Sequence, residues 1–361
     1  MKYSEPVKLT SARAWRTYTG GSLIDAIHGI ESKGDTNFPE EWIMSTVTAR
    51  NPGREAFADE GMSFLQDRNT SLLDFIKSDP SMLLGEEHYR KLGTTTGVLT
   101  KIIDAAERLT VQVHPNREKA LSLFNSQYGK TESWHILDGR TINGEKPCIY
   151  MGFREGITRE KWVECFDNQD IPALLSLMHR FDVKEGETYL IRGGVPHAIG
   201  QGCLLIEIQE PTDYTIRVER VTPQGLRIDD RACHQGLGFE RMFDCFEYEG
   251  ISKAEAYRRW CIPPQTIETN RDFIHRNIIG YDSTPCFRLD RFDLNGTAGF
   301  QTGGRFFGLY IYSGSGELKG RKTVPVSAGD QFFVPASSDD FTITSTGDKP
   351  MVIFQFFGPE L

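Results

Sequence analysis

The stretch Lys184-Glu185-Gly186-Glu187-Thr188-Tyr189-Leu190-Ile191-Arg192-Gly193-Gly194 reads as an acidic glycine turn, an apolar strand and a turn of small residues. The same grammar returns in Ala328-Gly329-Asp330-Gln331-Phe332-Phe333-Val334-Pro335-Ala336. Two copies of one β-rich, barrel-like module are therefore expected. The first copy leads on to His197, whereas the second runs into Ser337-Ser338-Asp339-Asp340 with no histidine. Any metal chemistry should reside in the first copy.

Working outward from the first copy, runs rich in Val, Ile, Tyr and Thr predict strands near 41–49, 98–103, 108–114, 133–138, 147–152, 188–192, 203–209 and 214–220. Two stretches break this rhythm with helical spacing. Over 58–92, Met62, Phe64, Leu65, Leu72, Leu73, Phe75 and Ile76 are spaced for an apolar helix face. Over 158–180, Thr158 with Lys161-Trp162 opens a helix, and Leu174, Leu175, Leu177 and Met178 continue one. The last hundred residues turn back to short strands: Phe306–Ser313, Lys322–Val326, Gln331–Val334, Phe341–Ser345 and Met351–Phe357. Such short strands, divided by Gly, Pro, Asn or Ser, point to a sandwich or jelly roll. The expected architecture is mainly β: two jelly-roll β-barrel modules with inserted helical segments. Residues 1–250 would form the first module and 251–361 the degenerate second, with the join at about 250–285.

Composition sets limits on function. The 361 residues are 39% hydrophobic and 25% charged, with 23 Phe, enough apolar mass for substantial cores. A net charge of −9 argues against broad nucleic-acid or anionic-membrane binding. A small phosphorylated ligand would then need a local cluster of Lys and Arg. No run of about 18 apolar residues suggests a membrane span, and Met1 to Arg13 lack an apolar signal core. The seven cysteines are odd in number and never spaced C-x-x-C, which predicts reduced thiols and a cytoplasmic setting.

Three segments carry the chemistry: Gln112-Val113-His114-Pro115, Lys130-Thr131-Glu132 and Pro196-His197-Ala198-Ile199-Gly200. Gln112 and His114 are two apart, so a strand would place both on one face. Two imidazoles, a carboxylate and an amide oxygen make a ligand set that suits zinc and leaves room for water or substrate. The remaining histidines (28, 88, 135, 179, 234 and 275) lack such context and read as surface or core residues. His135 is reserved, being three residues from Glu132.

These segments, taken in order, resemble the signature of type I mannose-6-phosphate isomerases, a zinc family of the cupin fold. The resemblance extends to Glu41-Trp42 with Ser45, to Lys101, to Glu207-Ile208-Gln209 and to Asp213 through Arg217. It runs over roughly residues 10–220 and more weakly over the β-rich tail. It implies two cupin modules, one zinc per chain on Gln112, His114, Glu132 and His197, and interconversion of mannose 6-phosphate with fructose 6-phosphate through an enediolate. It places phosphate contacts on Lys101, Thr110 and Lys130, and Arg217 near the reacting carbons. Arg217 could otherwise serve as a salt bridge to Glu219 or Asp213. Glu207, which alternates with Leu204 and Ile206, is the candidate base or else orients a metal ligand, and Asp213 and a zinc-bound water are the other candidates for proton transfer.

The chain departs from the family pattern in two places. The N-terminal Trp-Gly-Gly survives only as Trp15 with a displaced Gly20-Gly21, and Gly193-Gly194-Val195-Pro196 stands before His197 in place of Pro-Ala-Gly. Two other classes compete with an isomerase: an iron-dependent oxygenase or other cupin enzyme, and a sugar-binding cupin without catalysis. A carboxylate and an amide in the ligand set weigh against iron. Retention of Lys130, Asp213 and Arg217 weighs against a dead scaffold. The expected partner is a small hexose 6-phosphate, and the sequence sets no oligomeric state.

Overall fold

The chain folds as four antiparallel-rich sheets stacked so that one apolar interface joins two β-modules. The computed structural model describes residues 3–51, 53–67 and 69–361. The first module holds two six-stranded sheets. One runs 12–14, 40–43, 99–105, 203–209, 132–139, 188–191, antiparallel throughout. The other runs 216–217, 112–113, 197–199, 148–154, 250–251, with 178–182 on the side of 148–154.

Strand alternation decides what each face buries. In the 203–209 strand, Cys203 and Leu205 pack into the first module's interior with Trp134, Ile136 and Ile103. Leu204, Ile206 and Ile208 point the other way, into a core shared with Tyr310, Phe333, Phe354 and Phe356 of the second module. That second module is a seven-stranded sheet (7–9, 331–334, 307–313, 351–357, 288–294, 273–279, 265–269) facing a four-stranded one. Phe307, Leu309, Ile311, Phe332 and Ile353 fill the space between them. The N-terminal strand Val7–Leu9 belongs to this far sheet, pairing with Gln331–Val334.

The repeated turns share a backbone. Gly186 and Gly329 sit at φ +86° and +87°, a left-handed conformation in which a side chain is strained. Each is followed by a fully buried strand, Thr188–Ile191 or Gln331–Val334.

Several expected elements differ. Helices occupy Leu72–Ser78, Pro80–Leu84 and Glu86–Leu92, but residues 58–67 form turns, so Met62, Phe64 and Leu65 share no helical face. Helix formation waits for a cap: Ser71 accepts from the Asp74 N–H, which starts the first helix. Residue 68 lies outside the described residues. Thr158 does cap a helix, Arg159–Asp167, through the Lys161 N–H, and Ile171–Ser176 follows. Met178, however, opens a strand, Met178–Asp182. The expected strands at 108–114 and 214–220 shrink to Gln112–Val113 and Ile216–Arg217. The proposed join contains two strands of the second module, Gln265–Thr269 and Phe273–Ile279. Their exposed or half-buried residues carry a weak strand pattern. No helix among the described residues is long and apolar enough to cross a membrane.

Candidate metal centre and sugar-phosphate pocket

Strand register builds the site as two facing rows. In one sheet Gln112 lies directly opposite both His197 and Arg217, so three functional side chains share one face across three strands. In the other, Glu207 lies opposite both Lys101 and Trp134, and Lys101 opposite Trp42. Directly opposed residues in antiparallel strands project to the same side. The two rows meet where the Trp134 ring stands edge-on to His197, centroids 5.4 Å apart.

His114, Glu132 and His197, all buried, bring their ligand atoms within 4.8 Å of one another. The two imidazole Nε2 atoms are 3.2 Å apart, and each lies 3.2–3.4 Å from a Glu132 oxygen. The Nδ1 atoms are held by backbone carbonyls, Tyr214 O at 2.8 Å for His114 and Val195 O at 2.9 Å for His197. A carbonyl there requires N–H on Nδ1, which leaves the Nε2 lone pairs converging on one point. Neither buried Glu132 oxygen receives a hydrogen bond. Gln112 completes the group, its amide 3.3 Å from His197 Nε2. A half-turn of that near-symmetric amide presents its oxygen instead. Converging lone pairs and a buried carboxylate that accepts no hydrogen bond fit a divalent cation. The ligand atoms, N, N and O with an amide, fit zinc as well as any first-row metal.

Electrostatics agree with this fit. Burial, reinforced by Lys130, pushes the His114 imidazole down to about 3, and burial also lowers His197, so both are neutral. Burial would raise the Glu132 carboxyl, but the Lys130 ammonium outweighs it and holds the group well below the ordinary range. Lys130 Nζ sits 2.9 Å from His114 Nε2 and 3.2 Å from Glu132. The turn before His197 reaches this place because Gly193 passes over Pro115 and Asn116. A β-carbon there would meet the Asn116 nitrogen at 2.6 Å. Gly194 then donates to the His114 carbonyl at 2.8 Å.

A cavity opens beside Gln112, lined by Lys101, Thr110, Lys130, Glu207, Asp213 and Arg217. The expected contact and proton-transfer residues are thus brought together with the metal group. Glu207 accepts from Trp134 Nε1 at 3.0 Å and pairs with Lys101 at 3.0 Å. Burial nevertheless raises its carboxyl above the usual range. Asp213 behaves oppositely: Arg16 and Lys101 overcome burial and hold it very low. Arg217 forms no ion pair among the described residues. Glu219, its supposed partner, is taken by Arg108 at 2.6 Å, and Arg217 donates to the Thr215 and Ala232 carbonyls at 3.3 and 2.8 Å. His135 points to the other face, bonding Thr188 Oγ1 at 2.9 Å and standing edge-on to Phe354, and takes no part in the site.

Some lining residues escaped the sequence reading. Arg16, buried, pairs with Glu40 at 3.0 Å and Asp213 at 3.3 Å and lies over Trp42. Glu40 also accepts from Tyr18 and Trp42, each at 2.7 Å. Glu40, rather than Glu41, therefore faces the cavity; Glu41 bonds Tyr310 of the second module. Arg50 and Asn51 also line the cavity.

Glu40 yields a pH prediction. Burial raises its carboxyl, but Arg16 and Lys101 bring it down to about 2 from 4.5. A depressed folded value contributes stability that is full above the unfolded pKa and is lost as pH falls through the folded one. A shift of this size is worth about 3 kcal/mol. The melting-temperature advantage of the wild type over Glu40→Gln is expected to vanish between about pH 4.5 and 2. An advantage constant over that range would refute the pairing.

Two family descriptions match the chain: phosphomannose isomerase type I, catalytic domain, over residues 59–132, and mannose-6-phosphate isomerase, cupin domain, over residues 277–352. The first match ends on Glu132, a member of the metal group, and the second spans the metal-free module.

In these two stretches the chain is similar to type I phosphomannose isomerases.

Among similar proteins, mannose-6-phosphate isomerase ManA of Bacillus subtilis is 28% identical over 267 residues, 71% of this chain and 76% of that one. Mannose-6-phosphate isomerase of Streptococcus mutans is 27% identical over 265 residues, 72% and 76%. The fold is that of the crystal structure of mannose 6-phosphate isomerase from Bacillus subtilis, with TM-score 0.74, 24% identity and 98% and 99% of the two chains covered. The Salmonella typhimurium enzyme, in its apo form, gives TM-score 0.70 at 15% identity, with 99% and 100% covered.

Proposed function

We propose that this chain is a zinc-dependent aldose–ketose isomerase that interconverts mannose 6-phosphate and fructose 6-phosphate in the cytoplasm. The observation that carries this reading is the placement of Arg217, Gln112 and His197 in one row, facing Lys101 and Glu207 across a cavity. Moving a proton between adjacent carbons needs a base, stabilisation of charge on two oxygens, and a grip on the phosphate. Residues 1–250 would supply all three, and residues 251–361 form the supporting module.

One zinc would be held by Gln112, His114, Glu132 and His197, and would supply Lewis-acid polarisation of the substrate's carbonyl and hydroxyl oxygens. Glu207 is the proposed base. Its raised carboxyl lies nearer working pH, and the Trp134 indole fixes one oxygen while Lys101 steadies the other. Asp213, bound by Arg16 and held very low, is a poor proton acceptor and is assigned to orienting the cavity's cations. Arg217, with guanidinium N–H groups left over from two carbonyl contacts, is placed to stabilise the enediolate. Lys101, Thr110 and Lys130 are the proposed phosphate contacts.

The deciding experiment is a coupled assay with mannose 6-phosphate on the protein as isolated, after chelation, and after zinc is restored. Activity should disappear with the metal and return with it. Silence throughout, with zinc bound, would instead favour another sugar phosphate or a binding-only cupin.

A further inference from the structure

Met44 occupies a place that a side-chain-bearing residue rarely tolerates. Its φ is +50°, in the left-handed region, although it is neither glycine nor asparagine. It directly follows the Glu40–Ile43 strand, whose Glu40 faces the cavity, and it begins the segment that brings Arg50 and Asn51 to the cavity wall. Downstream contacts fix that segment. Ser45 N–H donates to Ser63 Oγ at 2.9 Å, and Arg50 N–H donates to Asp213 at 3.1 Å.

What holds Met44 in this conformation comes from the other module. Gln331 Oε1 accepts the Met44 N–H at 2.9 Å across 287 positions of sequence. Both residues are 1% exposed, and the Met44 side chain lies in the core shared by the modules. The Gln331 Nε2 group, buried, has no partner, so the amide serves this contact through its oxygen alone. Gln331 stands two residues after the turn glycine of the second copy. In the first copy that position is Thr188, which holds His135 at the same inter-module core.

We propose that Gln331 is a positioning residue: the metal-free module sets, through Met44, the pose of the Arg50–Asn51 wall of the sugar-phosphate pocket. Backbone strain at a functional boundary persists only when the surroundings over-determine it. Here one hydrogen bond from the second module and one side chain buried in the shared core do so. The substrate-binding part of this inference rests on the isomerase reading.

The test is a double-mutant cycle on the zinc-loaded full chain. Gln331→Met keeps the volume and removes the acceptor; Met44→Gly makes the left-handed turn free of strain. Gln331→Met is expected to raise KM for mannose 6-phosphate roughly tenfold, with kcat and zinc content unchanged. The melting temperature should fall by about 2–6 °C. In the Met44→Gly background, already less stable through lost packing, both effects of Gln331→Met should largely vanish. Gln331→Glu, which keeps an oxygen facing the Met44 N–H, should retain the wild-type KM. That variant gives the answer if Gln331→Met does not fold. An unchanged KM in Gln331→Met, an equal rise in both backgrounds, or a raised KM in folded Gln331→Glu would overturn the proposal. A wild-type chain silent toward the sugar phosphate defeats the isomerase reading. The Gln331–Met44 link is then judged on melting temperatures alone, where additive losses overturn it and non-additive ones uphold it.

Discussion

Replacing either His114 or His197 with Ala is expected to abolish zinc retention and to lower kcat/KM at least about 10³-fold. The geometry leaves little room for compensation. Each imidazole is buried and pinned through Nδ1 to a carbonyl, so neither can swing to cover for the other. The other described histidine near Glu132 in sequence, His135, faces the inter-module core and cannot substitute. Loss of one buried ring also leaves a cavity, so melting temperature should be followed alongside elemental analysis. A variant that keeps full zinc and full activity would remove these residues from the metal site.

Arg217→Ala should behave differently, losing roughly 10²-fold or more in kcat while keeping its zinc. Arg217 neutralises no carboxylate among the described residues, so its removal strands no buried charge and the fold should survive. It lies beside Gln112 in register, within the row that carries His197, yet it touches no metal-ligand atom in a hydrogen bond. Arg217→Lys, with the charge but not the planar fork, is expected to fall between the two. Steady-state kinetics with parallel zinc determination separate the outcomes. A normal kcat in Arg217→Ala would assign the residue to packing.

Much of this site was legible because ordered short motifs lie on strands, where spacing converts directly into facing. Glu207, alternating with Leu204 and Ile206, needed only the pleat, whereas His114 lies just past the end of the strand Gln112–Val113. The repeated G-[DE] turn likewise announced two modules through a backbone requirement that both glycines meet. What stayed hidden depended on long-range pairing. Arg16 reads as one more surface arginine until Glu40 and Asp213 close around it. Met62, Phe64 and Leu65 have helical spacing but no cap, and the chain there turns instead of winding. The strands 265–269 and 273–279 carry charged and polar residues on half-exposed faces, so hydrophobic alternation could not announce them. Arg276 pairs there with Asp293 across the sheet, a cross-strand match that single-strand patterns cannot reveal.

The crossing of Val7–Leu9 into the far sheet makes the two halves inseparable in a practical sense. A gene fragment encoding only residues 1–250 would leave its first strand without an edge to join, and would bare Ile102, Leu204, Ile206 and Ile208 to water. Such a fragment is an aggregation hazard rather than a minimal enzyme. The second copy has no histidine after its turn, yet it is the wall against which the first half is built.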